Sequence, residues 1–204
     1  MVESENTDHS SMIESPHSLD KKNLIKNEIY SNSITQKRNS RIIKIIADLL
    51  KDICEEGKSN KEEISKIIKP FISKKIPSIS INDYIERLFK YSKVSEEIFI
   101  FVLIYIDRIC GDHKINLNYN NIHKLILASF IVNIKFNEDN YYSLNYYAKL
   151  GGVSKKEIMN LEYEFLNLMD FKLFVDEKLF DKYKQNLQNL ENDDDDIDED
   201  NDDD

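Results

Sequence analysis

Glu162 is the residue whose type and position most need a physical reason. On a helical wheel at about 100° per residue, Ile158, Met159, Leu161, Phe165, Leu166, Leu168 and Met169 fill one broad arc. Asn160, Tyr163, Glu164 and Asn167 lie opposite, and Glu162 falls near the middle of the apolar arc. An unpaired carboxylate there costs several kcal/mol, so Glu162 is either paired within the protein or held at an open rim for a partner. Lys135 poses the same question. It lies about three turns after Lys124, on a stripe shared with Ala128 and Ile131. Either its ammonium snorkels to water from the helix end, or Lys135 and Glu162 converge at one rim and offer opposite charges to the backbone ends of a partner helix. Asp107 sits in the largely apolar stretch Ile98–Ile109. The expectation there is structural: a buried carboxylate that braces the fold through Arg87 or another cation.

Reactive chemistry has little support. The chain has no Gly-rich phosphate loop and no nucleophile elbow. Cys110-Gly111-Asp112-His113 has the look of half a zinc site, but the second half is missing, and Cys54 and His123 stand alone. No metal and no other cofactor is expected, nor a catalytic activity of the chain's own. His123 reads as a hydrogen-bonded packing residue. Two cysteines make no disulfide framework.

The elements that must position these charges are helices. Only four Gly and three Pro occur in 204 residues. Between Ile122 and Phe136 ten of fifteen residues are apolar, nearly all round the helix. That predicts a core helix over Asn120–Asn137, too short for a bilayer and wrapped by the others. Before it, Ser40 opens an amphipathic helix stopped by Gly57, and a short helix from Asn60 ends at Pro70. Phe71–Ser80 reads as an extended connector. Ser80 or Asn82 caps a helix over Asp83–Tyr91, with Tyr84, Ile85, Leu88 and Phe89 as its apolar stripe. Ser95 caps the next, which runs to about Ile109 and stops near Gly111. After the core helix come a helix over Tyr141–Leu150 stopped by Gly151-Gly152, and a helix from a Ser154…Glu157 capping box to about Met169. A last helix covers Leu179–Leu190. The expected boundaries are a disordered segment 1–39, N-terminal helices over 40–75 packing on a box over 76–175, a C-terminal helix over 176–190, and a disordered acidic tail over 191–204.

The formal net charge of −10 comes from that tail, whose last twelve residues, DDDDIDEDNDDD, hold ten acids. Without them, 38 − 10 = 28 acids face 28 Lys plus Arg. A neutral body argues against a strongly basic nucleic-acid-binding domain. The tail is solvated, or docks a basic partner. No signal peptide, transit-like N-terminus or transmembrane run is evident, so no membrane association is expected. An intracellular, reducing compartment is expected, nucleus and/or cytoplasm.

Several segments, in order along the chain, resemble one family. They are Ile76–Tyr91 (IPSISINDYIERLFKY), Tyr105–Arg108 (YIDR), Asn121–Leu125 (NIHKL), Lys135–Asp139 (KFNED), Tyr147–Val153 (YAKLGGV), Leu161–Leu166 (LEYEFL) and Phe171–Val175 (FKLFV). Together they look like the P-type cyclins, the phosphate-pathway or cyclin U group. The resemblance implies an all-α protein with a single five-helix cyclin box and flanking N- and C-terminal helices. It implies a non-catalytic subunit that binds and activates a cyclin-dependent protein kinase. In cyclins a Lys at the end of the third box helix and a Glu on the fifth contact the kinase near its αC helix, and the matching residues are Lys135 and Glu162. Asp107 matches the family's buried structural acid, and Tyr84, Arg87, Gly151 and Gly152 fall in motifs with structural roles. Asn133 and Ile134 replace the alanines usual before the KF motif. IPSIS stands where mitotic cyclins carry their hydrophobic-patch motif, and the 31 residues after Leu173 leave no room for a second box. The alternative readings are a cyclin-fold adaptor or a transcription-factor-like module without kinase activation.

Overall fold

The computed structural model describes residues 41–57 and 67–199. The expected disordered segment 1–39 and most of the short helix from Asn60 lie outside the described residues. Among the described residues the fold is all-α, with no strand and no helix long and apolar enough to cross a membrane. Helix α1 covers 41–56, and a single 3-10 turn, Lys69–Phe71, follows. Then come α2 (Ile81–Ser92), α3 (Glu97–His113), α4 (Ile122–Asn137), α5 (Leu144–Gly151), α6 (Lys155–Leu168) and α7 (Glu177–Glu199). Helices α2–α6 are the five expected of the box.

Helix α4 is the centre because its sequence offers no polar face. Ile122, Leu125–Phe130 and Ile134 are fully buried, and α3 and α6 pack against it. Asn133 is buried too, and its Nδ2 donates to the Ser129 carbonyl at 3.1 Å. The buried amide is therefore satisfied rather than stranded. Helix α1 adds Ile42, Ile43, Ile46, Leu50 and Cys54 to the same core.

Helix ends show where local signals prevail and where they do not. Ser80 rather than Asn82 caps α2, its Oγ accepting from the Asp83 N–H at 3.0 Å. Ser154 Oγ accepts from the Glu157 N–H at 3.1 Å. Ser95 does not cap α3 with its side chain: the N-cap is Glu96, with no side-chain hydrogen bond. Helix α3 also passes through Gly111 and ends at Lys114, which takes the left-handed conformation (φ 52°) and returns its N–H to the Cys110 carbonyl. One glycine costs about 1 kcal/mol in a helix, too little to stop a helix whose buried face continues to Ile109. Helix α5 starts at Leu144, capped by Ser143, later than Tyr141. Helix α7 runs on to Glu199, into the acidic run expected to be disordered, because each added residue of an existing helix gains a backbone hydrogen bond without a new nucleus.

Glycine is required at the end of α5. A Cβ on Gly151 would lie 2.5 Å from Leu127 Cδ2 and 2.6 Å from Cδ1. Gly152 holds φ +72° as the C-cap, its N–H returning to α5 carbonyls.

Candidate functional site

Lys135 and Glu162 meet. The Lys135 ammonium donates to Glu162 Oε1 at 2.6 Å and Oε2 at 2.7 Å. Of the two alternatives for Glu162, pairing within the protein holds. The carboxylate is paired internally, and the pair sits at a rim, with 35% of the Lys135 side chain and 18% of the Glu162 side chain still exposed. Lys135 stands in the last turn of α4 and Glu162 in the middle of α6, so the pair bridges two box helices that pack against each other.

Several large side chains near the pair in sequence are open to solvent. Phe136, next to Lys135, is 52% exposed; Met159, one turn before Glu162, is 53% exposed; Tyr163, next to Glu162, is 60% exposed. Met159 belongs to the apolar arc of α6, yet the core does not cover it. A wheel gives the width of an apolar arc and not how far the neighbours reach. Exposed aromatic and thioether side chains on the two helices that carry the pair are features common at protein-contact surfaces.

Lys124, on the same stripe as Lys135, faces a second carboxylate. Its ammonium lies 3.0 Å from Glu157 Oε1 and donates to the Ile72 carbonyl at 3.2 Å. The Glu157 carboxylate thus serves Lys124, so Ser154…Glu157 caps through the serine.

Asp107 corrects the sequence reading. It is exposed, not buried, and its Oδ2 accepts from the Tyr183 hydroxyl at 2.6 Å. The bracing group is a phenol from α7, which no wheel of α3 alone reveals. Burial, then the Asp107 hydrogen bond, push the Tyr183 phenol up to about 12. Arg87 is elsewhere, donating from Nη2 to the Lys149 carbonyl at 3.3 Å and so tying α2 to α5. Tyr84 is buried, donates to the Gly151 carbonyl at 3.2 Å, and stands edge-on to His123 with ring centroids 5.1 Å apart. Burial raises its phenol well above the ordinary value.

Two residues of the YIDR segment have a role that the sequence did not disclose. The Tyr105 hydroxyl donates to the Leu173 carbonyl at 2.5 Å, and Arg108 Nη1 donates to the Lys172 carbonyl at 2.6 Å. They clamp the chain as it leaves α6. The signal was the pairing of a tyrosine and an arginine one turn apart on a largely apolar helix.

His123 packs as expected, with Nε2 3.0 Å from the Ile79 carbonyl. Burial pushes the Cys110 thiol up to about 12, the opposite of what an activated or metal-binding thiol needs. Among the described residues no group of three His, Cys, Asp or Glu side chains stands ready for a metal.

With this geometry in hand, comparison with known proteins is direct. A family model described as cyclin matches residues 18–173. Cyclin-U2-1 of Arabidopsis thaliana is 30% identical over 166 residues, covering 78% of this chain and 74% of that protein. PHO85 cyclin-7 of Saccharomyces cerevisiae is 30% identical over 190 residues, covering 82% of this chain and 67% of its own length. Cyclin-P3-1 of Oryza sativa subsp. japonica is 36% identical over 125 residues, covering 61% and 52%.

Proposed function

The chain belongs to the cyclin family, and from that premise we propose that it is the regulatory subunit of a cyclin-dependent protein kinase, which it binds through the Lys135–Glu162 face and activates. The observation that carries the reading is the position of the pair: the end of α4 and the middle of α6, the third and fifth helices of the box. These are the places from which cyclins reach the kinase αC helix.

The physical mechanism needs no chemistry from this chain. An active kinase pairs its αC glutamate with its phosphate-binding lysine. A surface that binds αC only in its inward position shifts the kinase toward activity by its differential affinity for that state. Phe136 on α4 and Met159 on α6 leave exposed apolar area on the two helices that carry the charges. Lys135 and Glu162, already partly desolvated and paired, give up less water than two free ions when a partner covers them. A contact of this class buries about 2,000 Å² or more.

The test is to purify the chain with its bound kinase, identify that kinase, and compare its phosphorylation rate with and without the chain. A gain in rate is expected. Binding without a gain would make the chain an adaptor. A strongly salt-dependent affinity for DNA would point to a nucleic-acid module instead.

A further inference from the structure

We infer that Lys124 is a positioning residue for the Lys135–Glu162 pair. The inference rests on the kinase-binding reading of that pair for its functional consequence, and on geometry alone for its structural one.

Two ion pairs join α4 to α6. Lys135–Glu162 is the exposed one proposed to face the partner. Lys124–Glu157 is the other, 3.0 Å long, with the Lys124 side chain only 20% exposed. Lys124 does more than pair: its ammonium also donates to the Ile72 carbonyl at 3.2 Å. One cation thereby ties three pieces of chain: its own α4, the start of α6, and the connector that enters the box.

The connector is itself firmly held at this point. Phe71, just before Ile72, is fully buried, and its ring meets Phe165 of α6 edge-on with centroids 6.3 Å apart. The Ser73 N–H donates to the Asn120 carbonyl at 2.7 Å, immediately before α4. The Ile72 carbonyl is therefore fixed by surrounding structure, and a lysine held between that backbone acceptor and the Glu157 carboxylate carries orientation that a snorkelling lysine lacks.

Orientation matters because of where Glu157 stands. It is in the first turn of α6, its N–H capped by Ser154. Holding its carboxylate against α4 fixes the rotation of α6 about its own axis. A slip of one residue turns the helix by about 100°, and a fraction of that swings Glu162 out of the 2.6 Å contact with Lys135. The buried residues of α6 set the rotation coarsely. Lys124 is the polar stop that refines it, at the end of α4 opposite the pair.

The test uses the full chain. Lys124→Met keeps the apolar stem and removes both polar ties; Glu157→Gln removes the charge from the other side; Lys124→Arg restores a cation. The Glu162 Cδ chemical shift is read by NMR and scaled to the displacement that Lys135→Ala causes. Lys124→Met and Glu157→Gln are each expected to move it by at least half of that displacement and to weaken binding to the co-purified kinase at least fivefold, while Lys124→Arg recovers both. A folded Lys124→Met chain whose Glu162 signal stays at the wild-type position overturns the inference. A wild-type chain that binds no kinase overturns the functional reading instead, and the Glu162 signal still decides whether Lys124 sets the pair.

Discussion

The Lys135 ammonium and the Glu162 carboxylate close on each other across α4 and α6, 2.6 and 2.7 Å from nitrogen to the two oxygens. At an exposed rim such a contact adds little to stability, about 0–1 kcal/mol. The two helices it joins already pack through apolar side chains. Covered by a partner it is no longer screened, and losing one member then costs about 2–5 kcal/mol of binding. On the kinase-binding proposal the same residues matter little to the free chain and much to a complex, and that contrast can be measured.

The junction of α5 with α4 tests the packing account. Gly151→Ala places a methyl 2.5 Å from Cδ2 of Leu127, which is itself fully buried. Overpacking costs about 1–3 kcal/mol, which outweighs the gain of about 1 kcal/mol from the better helix former. Urea denaturation should show a net loss. A neutral or stabilised variant would mean that Leu127 has room to move.

His123 should make stability depend on pH. Burial holds its pKa below the ordinary value, against the opposing influence of the Ile79 and Ser80 backbone. Its Nδ1 is buried without a partner. The unfolded chain, with a histidine near about 6.5, therefore takes up the proton first. The stability from neutral His123 is complete above about pH 6.5 and is lost as pH falls from there through the lower folded value. Between pH 7.5 and 5.5 the wild-type urea midpoint should fall further than that of His123→Gln. Equal falls would show that His123 does not titrate with unfolding.

Lys114 offers a stabilising change. It is exposed and holds φ 52° at the end of α3, where a Cβ is penalised by about 1–2 kcal/mol. Part of the relief is offset by the greater freedom of glycine in the unfolded chain. Lys114→Gly should raise stability by about 0.5–1 kcal/mol in thermal or chemical unfolding, and a loss would contradict the left-handed cap.

What the sequence made legible follows from what one helix can reveal about itself. Helix α4 is apolar all round, so its burial could be read directly, and Glu162 stood out because it interrupts an apolar arc. That Lys135 and Glu162 meet was one of two open alternatives, since a wheel carries no distances between helices. Asp107 was misread for the same reason: its partner, Tyr183, comes from α7, seventy-six residues on. The end of α3 was misplaced because Gly111 looks like a stop, whereas Lys114 adopts the left-handed turn without a glycine's help. The tie from Lys124 to Ile72 and Glu157 joins three separate segments and left no trace in any one of them.

The most direct measurement is the affinity of the chain for the kinase that co-purifies with it, wild type against Lys135→Ala plus Glu162→Ala, with the unfolding midpoint of each recorded alongside. The account predicts a folded double variant with a nearly unchanged midpoint, a Kd raised at least about thirtyfold, equivalent to about 2 kcal/mol, and a matching loss of kinase activation at fixed concentration. A folded double variant that binds and activates the kinase as the wild type does would contradict it.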